Sequence, residues 1–293
     1  MPEELRPIPL VLDTDIGDDI DDALALAIVL NSPEIELRGV TTVFRDAPRR
    51  AQLAKQVLDL FGRDVPVAPG ASAPLLQPYD EIPNGAQLGR QFEALADIPV
   101  EQFDLHAVEF LRSQILDAQR DGQTLTIAPI GPLTNIALLF SMYPELASFC
   151  RLIIMGGFWR EAKPEWNILC DPEAAHLVFR SGAEITMVGL DVTLRCQLSD
   201  EQVAQIRSHQ LQRVRFLGEL IDLWGHVVTL HEPLTLLTLF DDCVQFEPKR
   251  IEVKLDGDLR SCTVVTDGKP NARVAVDVDA ERAVALFLER LQR

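Results

Sequence analysis

The sequence predicts an α/β fold: an open, mostly parallel sheet flanked by helices, with a few extra strands near the C-terminus. Three observations point to it. Short apolar runs of strand length alternate with helical segments of about 10–15 residues, the pattern of strands joined by helical crossovers. The polar residues that interrupt the apolar pattern fall at the ends of the strand-like runs. Apolar residues make up 47% of the 293-residue chain and charged residues 25%, the balance of an ordinary globular domain.

PIPLVLDTD is a short apolar run closing in acids and reads as the first buried strand. DDALALAIVLNSPE opens with aspartates suited to a helix N-terminus and stops before Pro33. IELRGVTTV is the second strand, RRAQLAKQVLDLFGR an amphipathic helix closed by Gly62, and DVPVAPG a short third strand. After a Pro/Gly-rich stretch at 69–100 the alternation resumes. Helix DLHAVEFLRSQILDAQRDG, strand TLTIAPIGP, helix GPLTNIALLF and strand RLIIMGG come first. Helix DPEAAHLVFRSG and strand EITMVGLDVT follow. Helical segments fill 199–240, then come strand-like IEVKL, CTVVT and ARVAVDV and a last helix AERAVALFLERLQR. The late strands are open to being an antiparallel extension. No composition break or repeat asks for a second domain, so residues 1–293 read as one.

The 45 acidic residues outnumber the 27 basic ones, giving a net charge of −18 and a pI near 4.6. Such a surface repels phosphate backbones and anionic lipid, which argues against nucleic-acid and membrane partners. The longest apolar run, Ala23 to Leu30, is far short of the roughly 18–20 residues of a membrane span. The N-terminus lacks the basic start and apolar core of a signal peptide, so a cytoplasmic protein is expected. Five widely spaced cysteines without a CxxC pair read as reduced, buried thiols. His106 and His176 lie on amphipathic helices and read as structural.

The sharpest feature follows the first strand. Asp13, Asp15, Asp18, Asp19, Asp21 and Asp22 are six aspartates within ten residues, with Gly17 at the turn. Charges that close repel one another unless a cation neutralises them, and carboxylates without Cys or His partners suit Ca²⁺ or Mg²⁺. The bland alternative is a solvated acidic turn with helix-capping aspartates. An EF-hand is excluded, because the sixth position from Asp13 is Asp18 and the twelfth is Leu24. Asp13-Thr14-Asp15 also has the form of an Asp-x-Asp phosphatase nucleophile, although no glycine-rich phosphate loop with a lysine accompanies it.

DTDIGDDIDDALAL resembles the N-terminal signature of the nucleoside hydrolases, the inosine–uridine-preferring N-ribohydrolases. VTTV, HAVEFL, APIGPLTNIAL, IIMGG, EWNILCDPEAAHLVF, MVGLDVT and LHEPLTLL continue the resemblance in order over about 230 residues. It implies calcium-dependent hydrolysis of ribonucleosides to free base and ribose, in a homodimer or homotetramer. The implied calcium ligands are Asp15, Asp22, the Ile130 carbonyl and Glu232. Asp15 would also serve as general base toward water. Asp21, Asp46, Glu165 and Asn167 would hold ribose hydroxyls, Met155 would line the pocket, and His231 would serve the leaving base.

This kit suits the chemistry, since cleavage passes through an oxocarbenium-like ribosyl cation that surrounding carboxylates stabilise. The chain departs from the family in several places. Its first motif is two residues longer than the shortest version, so Asp18 is an alternative to one of the assigned aspartates. Arg45-Asp46 stands where many members have Gly-Asn, and Glu232 where Asp is more frequent. Residues 84–92, NGAQLGRQF, lack a His-Gly pair that many members carry, which leaves base preference open. Trp159, Trp166, Trp224 and His226 are candidates to contact a base, with packing roles as the alternative. Other readings are a metal-dependent phosphohydrolase and a non-catalytic nucleoside- or ribose-binding relative. Retention of Asp15, Asp22, Glu165, Asn167 and His231 together argues against the latter.

Overall fold

The first buried strand, β1 (Ile8–Thr14), hydrogen-bonds in parallel to β2 (Ile35–Thr42) on one side and β4 (Leu125–Pro129) on the other. A computed structural model describes residues 6–78, 82, 88–95 and 104–293. Beyond β2 lies β3 (Val67–Pro69), and beyond β4 come β5 (Cys150–Met155), β6 (Glu184–Val188), β10 (Ala272–Val278) and β7 (Val244–Lys249). The eight strands stand in the order β3-β2-β1-β4-β5-β6-β10-β7, all parallel except β7, which runs antiparallel along β10 at the edge. The chain moves outward from β1 in one direction and then in the other. A crevice therefore opens between the C-terminal ends of β1 and β4, the switch point at which such sheets bind ligands.

Helices cover both faces. Against one face lie α1 (Asp21–Leu30), α9 (Gln212–Trp224), α10 (His231–Leu237) and α11 (Ala280–Leu291), with α2 (Ala47–Leu60) beside them. Against the other lie α3 (Ala107–Arg120), α4 (Thr134–Met142) and α6 (Pro172–Arg180). All ten residues of α1 are buried, which is why DDALALAIVL is apolar around its whole circumference after the first turn. Capping side chains start several helices: Asp171 accepts from the Ala174 amide, Asp279 from Arg282, and Ser199 and Gln202 form a reciprocal box at α8 (Asp200–Arg207). His106 caps α3 through the Val108 amide and His176 bonds the Val253 carbonyl, so both hold structure as expected. All five cysteines are free and buried.

The late strands divide in a way the pattern left open. ARVAVDV is not part of an antiparallel extension but joins the main sheet parallel to β6. IEVKL and CTVVT supply β8 (Ile251–Val253) and β9 (Thr263–Val265), an antiparallel pair of their own. The edge strand β7 falls on VQFEPK, whose Pro248 and paired charges hide a strand from a reading of periodicity; such residues suit an edge. EITMVGLDVT is a strand only to Val188. Gly189 then admits a close approach of the Gly157 carbonyl, and the short helix α7 (Leu190–Thr193) begins. Another short helix, α5 (Trp166–Cys170), is too brief for periodicity to mark. Among the described residues no helix is long and apolar enough to cross a membrane.

Asn135 ties the switch point together. Its amide nitrogen donates to Asp13 Oδ1 (2.7 Å) and the Thr42 carbonyl (3.1 Å), while its oxygen accepts from the Ala71 amide (2.9 Å). Asp13 is fully buried and burial pushes its pKa up to about 7, against the bonds from Thr41 and Asn135 that favour the anion. Asn135→Ala leaves these groups unpaired in the interior and is expected to cost about 2–4 kcal/mol by urea denaturation. A loss below about 0.5 kcal/mol would show that the network contributes little.

Candidate active site

Above the ends of β1, β4 and β5 lies a cavity of about 340 Å³ lined by both acidic and apolar side chains. Asp15, Asp18 and Asp19 enter it from the loop after β1, and Asp21 and Asp22 from the first turn of α1, where the helix dipole favours negative charge. Glu165 and Asn167 come from the start of α5, and His231 and Glu232 from the start of α10. Met155, Trp166, Leu190, Trp224 and Leu88 form the apolar part of the wall.

The acidic end is tightly wired. The Thr14 hydroxyl donates to Asp22, and the Ile16 amide returns a bond to that hydroxyl at 3.1 Å. Burial pushes the Asp15 pKa up to about 8, with Arg50 opposing and Asp18 and Asp21 adding to the rise. Asp19 and Asp22 are raised well above the usual carboxylate range, by burial first and by neighbouring aspartates second. Glu232 is raised for the same reasons, burial foremost and then Asp21. One oxygen of Glu232, Oε2, is buried without a hydrogen-bond partner.

Glu165 caps α5, accepting from the amides of Asn167 (2.9 Å), Ile168 (3.2 Å) and, across the crevice, Gly157 (2.9 Å). Its pKa is raised by burial in spite of these three donors. Asn167 Nδ2 donates to the Ile130 carbonyl at 2.9 Å and to the Met155 carbonyl at 3.3 Å, so it ties the ends of β4 and β5 together. His231 Nδ1 lies 2.7 Å from the Thr193 hydroxyl. With that hydroxyl donating, the imidazole proton sits on Nε2. Burial lowers the His231 pKa and Asp21 pulls the other way, so the net effect favours the neutral ring.

Of the residues singled out from sequence, Asp15, Asp21, Asp22, Met155, Glu165, Asn167, His231 and Glu232 line this one cavity. The Ile130 carbonyl is joined to it through Asn167. Asp46 is not brought in: it is exposed, caps α2 through the Arg49 amide (3.2 Å) and is absent from the cavity wall. Asp191, another strand-end acid, accepts from the Trp159 and Arg160 amides outside the wall. Trp166 and Trp224 reach the cavity, whereas Trp159 packs beneath Lys249 and Arg160, and His226 packs edge-on against Trp224. Of the loop at 84–92, residues 84–87 lie outside the described residues.

Arg50, which no motif of the sequence marks, belongs beside these residues. It sits in a run of charged and polar residues, yet it falls on the apolar stripe of α2 with Ala47, Ala51, Ala54, Val57 and Leu58, and that spacing was the available signal.

Comparison with known proteins gives the family. The inosine-uridine preferring nucleoside hydrolase family model matches residues 10–285. A pyrimidine-specific ribonucleoside hydrolase from Salmonella agona is 35% identical, with 97% of this chain and 98% of that protein covered. A plant nucleoside hydrolase superposes with a TM-score of 0.84 at 27% identity, covering 98% of this chain and 99% of that one. A purine-preferring ribonucleoside hydrolase from Gardnerella vaginalis gives 0.82 at 28% identity, over 97% and 98% of the two chains. The fold and these relatives define a hydrolase of N-glycosidic bonds. The chain belongs to the inosine-uridine preferring nucleoside hydrolase family, enzymes that split ribonucleosides into base and ribose.

Gly131, just after β4, backs directly onto Asp15. A Cβ there would lie 2.6 Å from Asp15 Oδ1 and 2.9 Å from its backbone nitrogen, so the carboxylate has to move. Gly131→Ala is therefore expected to lower kcat by about 100-fold while the protein stays folded by circular dichroism. Turnover at the parental level would mean that the Asp15 carboxylate tolerates displacement.

Proposed function

We propose that the cavity hydrolyses the N-glycosidic bond of ribonucleosides with the help of a bound calcium ion, and that pyrimidine ribonucleosides are the preferred substrates. The observation that carries the reading is the convergence of Asp15, Asp21, Asp22, Glu165, Asn167, His231 and Glu232 in one cavity at the sheet's switch point. The pyrimidine preference is supported by the curated relatives at 34–35% identity, which are named as pyrimidine-specific. Among the described residues no lysine or arginine lines the cavity, so a phosphate group would have the cation alone as counter-charge amid many carboxylates, which weighs against a phosphohydrolase.

The donor set suits a hard cation. It is made of carboxylates and a main-chain carbonyl, and the unpartnered Glu232 Oε2 is a buried oxygen with nothing else to satisfy it. Among the described residues no three His, Cys, Asp or Glu side chains already form a ready metal cluster, so a cation would draw its ligands together on binding. Asp15, Asp22, the Ile130 carbonyl and Glu232 would hold it; Asn167 takes only one of the two lone pairs of that carbonyl. Calcium, when bound, supplies a positive charge that orients water and eases loss of its proton.

In the reaction the bond from C1′ to the base nitrogen breaks as water oxygen bonds to C1′. Asp15 accepts a proton from that water, and the departing base takes up one in turn. Asp21, Glu165 and Asn167 would hydrogen-bond the ribose hydroxyls, and the negative charge of the two carboxylates would stabilise the oxocarbenium-like sugar. The neutral His231 donates from Nε2 toward the base as electrons gather there. The apolar wall of Trp166, Leu190, Trp224 and Leu88 gives the flat base a surface to lie on. A homodimer or homotetramer in the cytoplasm completes the reading.

The decisive experiment is a panel of ribonucleosides and 2′-deoxynucleosides assayed for reducing sugar, with and without a chelator. Uridine and cytidine should be cleaved, chelation should abolish turnover, and deoxyuridine should fall behind uridine by about 10⁴-fold in kcat/KM, because its loss of a hydroxyl leaves buried groups unpaired. Phosphate release from a nucleotide without reducing sugar, or equal rates for uridine and deoxyuridine, would sink the proposal. Calorimetry on chelator-treated protein addresses Glu232 separately. Glu232→Gln should weaken calcium binding far more than Glu232→Asp, since lost charge outweighs a shorter reach. If the Gln variant binds calcium as tightly as the parent, Glu232 is not a ligand.

A further inference from the structure

Arg50 is 1% exposed, and its guanidinium is buried against the loop that carries Asp15. Nε donates to the Phe44 carbonyl at 2.8 Å. Nη1 donates to two consecutive carbonyls, those of Asp15 and, at 3.0 Å, Ile16. Nη2 donates to Asp18 Oδ2 at 2.8 Å. Asp18 lies in the part of the motif that exceeds the shortest family version by two residues. Its other oxygen accepts from the Gly89 amide at 2.5 Å. Gln91 Nε2 then donates to the carbonyls of Asp18 (3.1 Å) and Asp19 (2.7 Å), and the Phe92 ring lies against Gly17.

We propose that Arg50 is a positioning residue for catalysis, fixing the Asp15 carboxylate through its bonds to the Asp15 and Ile16 carbonyls and to Asp18. The inference rests on the reading of Asp15 given above and extends it. A planar guanidinium places three nitrogens against four acceptors at once, which an ammonium cannot reproduce. Between β1 and α1 the loop has no regular hydrogen-bond ladder; Gly89 and Gln91 hold its far side at Asp18 and Asp19, whereas the Asp15 carbonyl is held by Arg50. The wall opposite leaves a shift of Asp15 no room to be harmless, because Gly131 packs directly on the Asp15 carboxylate. Arg50 does not line the cavity, so it acts through the loop rather than on a bound molecule.

The test compares Arg50→Lys, Asp18→Asn and Asp15→Asn in the calcium-loaded full chain, with kcat and KM measured separately on a cleaved ribonucleoside. Arg50→Lys is expected to lower kcat about 10–100-fold with KM within about threefold, the signature of a misplaced reacting group. Asp18→Asn keeps the shape of the loop and should lower kcat by about 3–10-fold, and it carries the test if Arg50→Lys does not fold. A purely structural role would lower the melting temperature and leave kcat per folded molecule unchanged, and that outcome overturns the inference. So does a loss confined to KM. If Asp15→Asn is inactive while both other variants turn over normally, the positioning role fails alone. If Asp15→Asn itself turns over normally, the reading of Asp15 fails and the role of Arg50 with it.

Discussion

Six carboxylates within ten residues, five of them lining the cavity at the end of the first strand, set the electrostatic terms for this fold. Removing several like charges from water is tolerable only where each is hydrogen-bonded or faces a positive charge. The structure supplies both near the acidic loop. Thr14 holds Asp22, the N-terminal turn of α1 carries Asp21 and Asp22, and Arg50 enters from α2 to meet Asp18. Glu232, by contrast, keeps an oxygen without a partner. In the proposed reaction, carboxylates gathered beside the cavity would favour a sugar turning cationic.

The alternation of strand and helix was legible because each element repeats a period that burial enforces. β1, β4 and β5 are apolar runs since both faces of the sheet are covered, and α1 is apolar all round since it is enclosed. What could not be read depended on partners distant in sequence. VQFEPK becomes a strand only because β10 offers it an edge, and ARVAVDV runs parallel to β6 because the connection returns on the same side. The five-residue α5 exists because Glu165 caps it while reaching across to Gly157.

The site divides along the same line. Asp15, Asp21, Asp22, Glu165, Asn167, His231 and Glu232 fall at strand ends or helix starts, where polar residues stand out against an apolar pattern, and they converge. Asp46 also follows a strand end, yet its side chain turns back to cap α2, because the backbone at Phe44 and Arg45 adopts the left-handed region and redirects the chain. Arg50 carries no such flag. Either arginine of RRAQLAK reads as solvent-facing until the apolar stripe of α2 is counted, and the loop after β1 then shows where the Arg50 guanidinium is spent.

Gly17 marks a further consequence of that loop. Its φ of +127° is open to glycine and strained for other residues, and a side chain there would strike the Phe92 ring. Shortening the loop by two residues would delete the carboxylate that Arg50 meets and leave a full positive charge buried without its partner. Lengthening it without an arginine at position 50 would leave carbonyls and an aspartate facing an apolar wall. Loop length and the identity of residue 50 are thus coupled physically, since a change in one strips buried polar groups of the other of their partners.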